Sequence, residues 1–202
     1  MTCSNNVLLL LIALYIPSLF LLNSQANAET LSPSSSDILE TACFTTKDIR
    51  DWNYTLCLNI LRSSPKVISA PNGENLTLEI IDLGLKNASK IHDYISKRVN
   101  DTQNIDLKSA LNECLSYYSD AIHSMSIAFG EIQQVGEYYD GRDDLIDSLT
   151  GAQECESCVS NYNNITDKPV CSDGIKLFKY FSVPTIKILE MLMSHTYPPS
   201  SL

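Results

Sequence analysis

The sequence predicts an all-α protein: an antiparallel up-and-down four-helix bundle with an N-terminal helical hairpin extension, braced by disulfides. Three observations carry this expectation. Apolar residues recur in steps of three and four over long stretches. Glycine and proline are sparse and fall mostly between those stretches. Cysteines stand on the apolar seams, where a packed helix would otherwise place leucine.

The elements follow in order. Val7 to Leu22 is almost wholly apolar, and Ala26-Asn27-Ala28 supplies the small-x-small pattern of a signal-peptidase site, so residues 1–28 read as a secretory leader. The alternative is an uncleaved anchor, for which the apolar run is short. A Ser/Pro-rich lead-in covers 29–36, with Ser36 as the expected cap of a short helix starting near Asp37. A second short helix should carry Ile49, Trp52, Leu56 and Ile60 and stop by Ser64, before Pro65. From about Leu76 to Val99 the stripe Ile80, Gly84, Ala88, Ile91, Ile95, Val99 marks a long amphipathic helix.

The next helix has the clearest seam: Leu107, Leu111, Cys114, Tyr118, Ala121, Met125, Ala128 and Ile132. Gly136 offers a stop, and past "EYYDGRDD" another seam runs Leu145, Leu149, Ala152, Cys155, Val159. The polar stretch "NYNNITDKP" leads to the last apolar segment, which Pro184 should kink or divide. The helical domain thus spans 37–195, and 196–202 reads as a mobile tail.

The formal charge of −10 argues against nucleic acid and anionic membranes as partners, because the phosphate interaction would be repulsive. Seven cysteines become six when Cys3 leaves with the leader, an even count that suits an oxidising compartment and allows fifteen pairings. Cys114 and Cys155 lie symmetrically about a midpoint between Gln134 and Val135. In an antiparallel hairpin that symmetry puts them at equal heights, as a bridge between facing seams requires. Cys43 and Cys57 would staple the short N-terminal helices, which have little apolar surface of their own. Cys158 and Cys171 remain to close the loop between the last two helices, with Cys155 and Cys158 close enough to exchange partners. Reading Cys155-Glu156-Ser157-Cys158 as a redox pair fits poorly, since Glu154 and Glu156 oppose a thiolate. Sequons at Asn53, Asn75, Asn87, Asn100 and Asn164 fit a secreted glycoprotein.

No catalytic constellation, cofactor site or metal motif is evident. His92, His123 and His195 are scattered. Asp143 and Asp144 could be an acid–base pair but are better explained as carboxylates opening a helix. Tyr118, Met125 and Phe129 read as core. Tyr117, one step off its seam, and Tyr138-Tyr139 with Asp140-Gly141 at the hairpin tip are the candidate anchors for a protein partner.

The order "ETACFTTKDIRDWNYTLCLNILRSSP", "ALNECLSYYSDAIHSM", "LIDSLTGAQEC" resembles the plant invertase and pectin methylesterase inhibitor family, from about Asp37 to His195. Its most specific elements are N-Y-x-x-C-L-x-x-L-x-x-x-P at Asn53 to Pro65 and L-x-x-C-x-x-x-Y-x-x-A at Leu111 to Ala121. The spacing of the first two cysteines looks most like the pollen-allergen branch. The resemblance implies an extracellular, non-enzymatic inhibitor of acid invertase or pectin methylesterase, with bridges Cys43–Cys57 and Cys114–Cys155. Cys158 and Cys171 are additional to that pattern, and Asp147-Ser148-Leu149-Thr150 departs from the usual Ser-Ala-Ala-Leu type. The Pro-Lys-Phe element that some invertase inhibitors insert into the enzyme is replaced by Tyr138-Tyr139-Asp140-Gly141. An allergen-like protein that keeps the scaffold without inhibiting is the other role the resemblance allows.

Overall fold

Asparagine and serine side chains set where the helices begin. The computed structural model describes residues 34–46, 49, 52–134, 137–160 and 168–196. The expected leader, most of the lead-in, Gly136, Asn164, residues 197–202 and the side chains of Cys171 and His195 lie outside the described residues. Within them run α1 (Ser35–Thr45), α2 (Tyr54–Leu61), α3 (Pro65–Ile68), α4 (Gly73–Asp101), α5 (Ile105–Gln133), α6 (Tyr138–Ser160) and α7 (Lys168–Thr196). No strand occurs among the described residues.

A helix leaves its first amides without internal partners, and a short polar side chain just ahead supplies one. Asn53 Oδ1 accepts from the Leu56 amide at 2.9 Å, Asn72 Oδ1 from Asn75 at 2.8 Å and Asn104 Oδ1 from Leu107 at 3.0 Å. The cap of α1 is Ser34 rather than Ser36, because Asp37 sits three residues on and closes a capping box with it. Likewise α2 begins only at Tyr54, leaving Ile49 and Trp52 ahead of the helix expected to contain them. Pro65 then opens the short α3, which the sequence reading did not anticipate.

The long helices α4 to α7 form an antiparallel ring in which each packs on the next and α7 returns to α4. The α5 seam is buried from Leu111 through Cys114, Tyr118, Ala121, Met125 and Ala128 to Ile132, with Leu107 half-buried at its start. On α6 the buried row is Gly141, Leu145, Ser148, Ala152, Cys155, Val159, so Ser148 and not Leu149 holds the central seam position. Its hydroxyl donates across the interface to the carbonyl of Ala121, which satisfies a polar group that burial would otherwise penalise. Pro184 does not divide the last helix, which runs unbroken from Lys168 to Thr196. Proline removes one backbone bond, but residues 182–186 are all buried, and packing on every side holds the segment helical.

The α1–α2 hairpin lies chiefly against α7. Trp52 stacks at 4.7 Å on Tyr180 and donates its Nε1–H to the Cys43 carbonyl at 3.0 Å. The Asn53 amide donates to the Tyr180 hydroxyl at 3.2 Å. An ion pair between Arg62 and Glu40 spans the hairpin's outer edge. No helix among the described residues is long and apolar enough to cross a membrane.

Candidate functional site

Two disulfides define the rigid parts. Cys43–Cys57 joins the end of α1 to α2, and Cys114–Cys155 ties α5 to α6 across their shared seam. At the second bridge the backbones come within 3.9 Å, Cα to Cα. Small residues make that approach possible: a Cβ added to Gly151 would meet the Tyr117 carbonyl oxygen at 2.9 Å. Cys158 carries a free thiol, half-buried, where the sequence led us to expect a bridge to Cys171. Burial, then Glu113 and Glu154, pushes that thiol up, away from thiolate character and from the redox reading.

The α5–α6 turn presents the candidate anchors unequally. Tyr138, Tyr139, Asp140 and Gly141 are the first turn of α6 rather than a loop, so helical geometry decides where each points. Tyr138 is half-buried, and its hydroxyl donates to Glu74 Oε2 at 2.7 Å, linking the start of α6 to the start of α4. Burial, followed by that acidic acceptor, pushes its pKa up to about 12. Gly141 is turned inwards, with room for no more than a hydrogen against Ile132. Tyr117 packs half-buried against the core. Tyr139, which is 57% exposed, and Asp140 are the two candidates exposed to solvent.

Around them lies an acidic cluster that sequence reasoning did not assemble. Glu131, at the end of α5, is pushed up to about 7, first by burial, then by a hydrogen bond with Asp144 and the charges of Asp144, Asp140 and Glu137. Its Oε2 is shielded from solvent and has no hydrogen-bond donor. Burial and the acidic neighbours across the turn thus favour the protonated form of Glu131. The nearby cations are engaged elsewhere: Arg142 with Asp143 at 2.7 Å and Glu190 at 3.5 Å, and Lys187 with Glu190 at 2.7 Å. Asp143 and Asp144, adjacent in sequence, therefore have separate partners. Among the described residues no group of three or more His, Cys, Asp or Glu side chains could hold a metal ion.

A second grouping lies on the α4–α5 face, where Ser89, His92, Asp93, Ser119 and Ile122 line a depression of about 280 Å³. His92 Nε2 is 3.1 Å from Ser119 Oγ, and Nδ1 is 3.8 Å from Asp93 Oδ1. The order resembles a hydrolase relay, but Ser119 already donates its proton to the Leu115 carbonyl at 2.7 Å. The surrounding amides are interior to long helices and so committed to helical bonds, leaving none to hold an oxyanion.

The described residues thus form a bundle stapled by two disulfides, with an acidic cluster at its α5–α6 end. Residues 37–184 match the plant invertase/pectin methylesterase inhibitor family, and the chain belongs to it. The fold is similar to the crystal structure of a pectin methylesterase inhibitor from Arabidopsis thaliana, with TM-score 0.57 and 20% identity over 76% of this chain and 95% of that one. A mutant form of an Arabidopsis pectin methylesterase inhibitor matches with TM-score 0.66 and 19% identity over the same shares. No curated protein sequence matches the chain significantly.

Proposed function

We propose that the chain is a secreted plant protein that inhibits a carbohydrate-active enzyme by covering its cleft, with pectin methylesterase the favoured target over acid invertase. Family membership supports inhibition, and the observation that supports the choice of target is the acidic end of the α5–α6 hairpin, with Tyr139 and Asp140 facing outwards. A glycosidase cleft presents two carboxylates to its substrate, and Asp140 would approach them as a like charge. A pectin methylesterase uncovers a carboxylate at each turnover, so its cleft has to accommodate a polyanion, and an acidic tip suits it. Two disulfides fix the hairpins before docking, which limits the ordering entropy lost on binding.

Refolded protein titrated against purified pectin methylesterase should abolish its activity at micromolar concentration or below, while acid invertase keeps most of its activity. Inhibition of invertase alone would reverse the choice of target. Loss of neither activity would reject inhibition in favour of the second reading, a non-inhibitory scaffold of the allergen-like kind, which the absent Pro-Lys-Phe element favours.

A further inference from the structure

Four of the five sequons fall on described residues, and the fold treats them differently. Asn75 is exposed in the first turn of α4, and Asn100 is exposed one residue from its end. They are 25 positions apart, close to seven whole turns, so they lie on one face of the helix, about 37 Å apart along its axis. Asn53 is also exposed and caps α2 through Oδ1, an atom that a sugar on Nδ2 leaves in place. Asn87 lies about a third of a turn off the Asn75–Asn100 line, towards the buried side.

Asn87 is half-buried between Gly84 and Ala88, both buried, and its Nδ2 donates to the Leu83 carbonyl at 2.8 Å. One turn on, Ile91 touches α7 so closely that a Cβ on Gly174 would stand 2.8 Å from it. The Asn75 Nδ2 also donates, to Asn72 Oδ1 at 2.9 Å, but from an exposed position, so burial is what separates the two sites: a sugar on the Asn87 nitrogen would force a hydrated group into the edge of the α4–α7 contact. A packed helix contact does not absorb such a volume without opening.

We propose that Asn53, Asn75 and Asn100 carry N-linked glycans in the folded protein and Asn87 does not, which makes the outer face of α4 the carbohydrate-bearing side. Helices α5, α6 and α7 contain no sequon, so a protein partner meets bare polypeptide on the α5–α6 hairpin. The Asn75 glycan is rooted beside Glu74, the residue that receives the Tyr138 hydroxyl, and so borders that docking end. The inference rests on the secretion included in the proposed function.

The test is site-by-site mass spectrometry of protein secreted from plant cells under its own leader, after enzymatic deglycosylation in heavy-oxygen water. Most molecules should bear the label at Asn53, Asn75 and Asn100, and almost none at Asn87. Asn87 opens the one sequon closed by serine, so Ser89→Thr separates weak sequon chemistry from exclusion by the fold. The secreted variant should remain unlabelled at Asn87, with any occupied chains confined to the retained, unfolded fraction. Secreted protein substantially labelled at Asn87, or unlabelled at Asn75 and Asn100, would overturn the proposal while leaving secretion intact. A chain held in the cytosol without any glycan would overturn both.

Discussion

Glu131 shows what a single side chain adds to the hairpin end. In the unfolded chain its carboxyl titrates near 4.5, whereas in the fold it is raised to about 7, chiefly by burial and then by Asp144. The folded state therefore holds the extra proton between those values, and stability falls as pH rises from about 4.5 to about 7. Below that window the contribution is fully present, and above it Glu131 is ionised in both states. Glu131→Gln replaces the titrating carboxyl with an amide that stays uncharged at every pH. Solvent around the end of the bundle screens the pair, so the gain at pH 7.5 should be no more than about 1 kcal/mol, or ~2–4 °C in Tm. At about pH 3 the gain should vanish, because wild-type Glu131 is then protonated in both states. Thermal melts at the two pH values check this, and an equal gain at both would mean that the fold does not raise the Glu131 pKa.

At the scale of elements, the α5–α6 contact depends on what is missing from its glycines. Helix propensity alone favours replacing either Gly130 or Gly151 by alanine, by about 1 kcal/mol. A Cβ at Gly130 meets nothing within 4 Å, whereas at Gly151 it meets the Tyr117 carbonyl at 2.9 Å and the Ala121 Cβ at 3.2 Å. Backbone cannot move aside cheaply, and overpacking typically costs ~1–3 kcal/mol. Denaturant unfolding should thus find Gly130→Ala more stable by up to about 1 kcal/mol and Gly151→Ala less stable by up to about 2 kcal/mol. Stabilisation by both would mean that the helices are farther apart than described. This contact also separates what the sequence could disclose from what it could not. The 3–4 spacing of Leu111 to Ile132 and the symmetric placing of Cys114 and Cys155 are local or arithmetic, and both were legible. Ser148 was passed over for Leu149 because hydropathy hides a serine whose partner is a carbonyl on another helix. The Glu131–Asp144 pair was illegible for the same reason, since its cause is a juxtaposition across the turn. Tyr138 and Gly141 were misplaced because the helix starts at Tyr138, and one turn of helix sends neighbouring side chains in different directions.

For the molecule as a whole, the two disulfides should fail differently when removed. Cys114–Cys155 closes 41 residues within the bundle, and on the chain-entropy account its loss costs about 4 kcal/mol. Because α5 and α6 belong to the common core, that loss should lower every transition together. Cys43–Cys57 closes 14 residues and is worth about 3 kcal/mol by the same account, but it braces a hairpin that rests mainly on one helix. Without it the hairpin can open locally while the bundle stays folded. The single tryptophan reports this directly, since Trp52 lies between Cys43 and Tyr180. In the wild type, Trp52 fluorescence and far-ultraviolet circular dichroism should melt at one temperature. In the Cys43→Ser, Cys57→Ser double variant the fluorescence transition should come first, with most helical signal surviving it. In the Cys114→Ser, Cys155→Ser variant both should fall together. If the hairpin variant instead lost fluorescence and helicity in one coincident step, the α1–α2 hairpin would be part of the cooperative core, and docking the chain on an enzyme would have to be treated as the work of the hairpin and the bundle together rather than of the bundle's end.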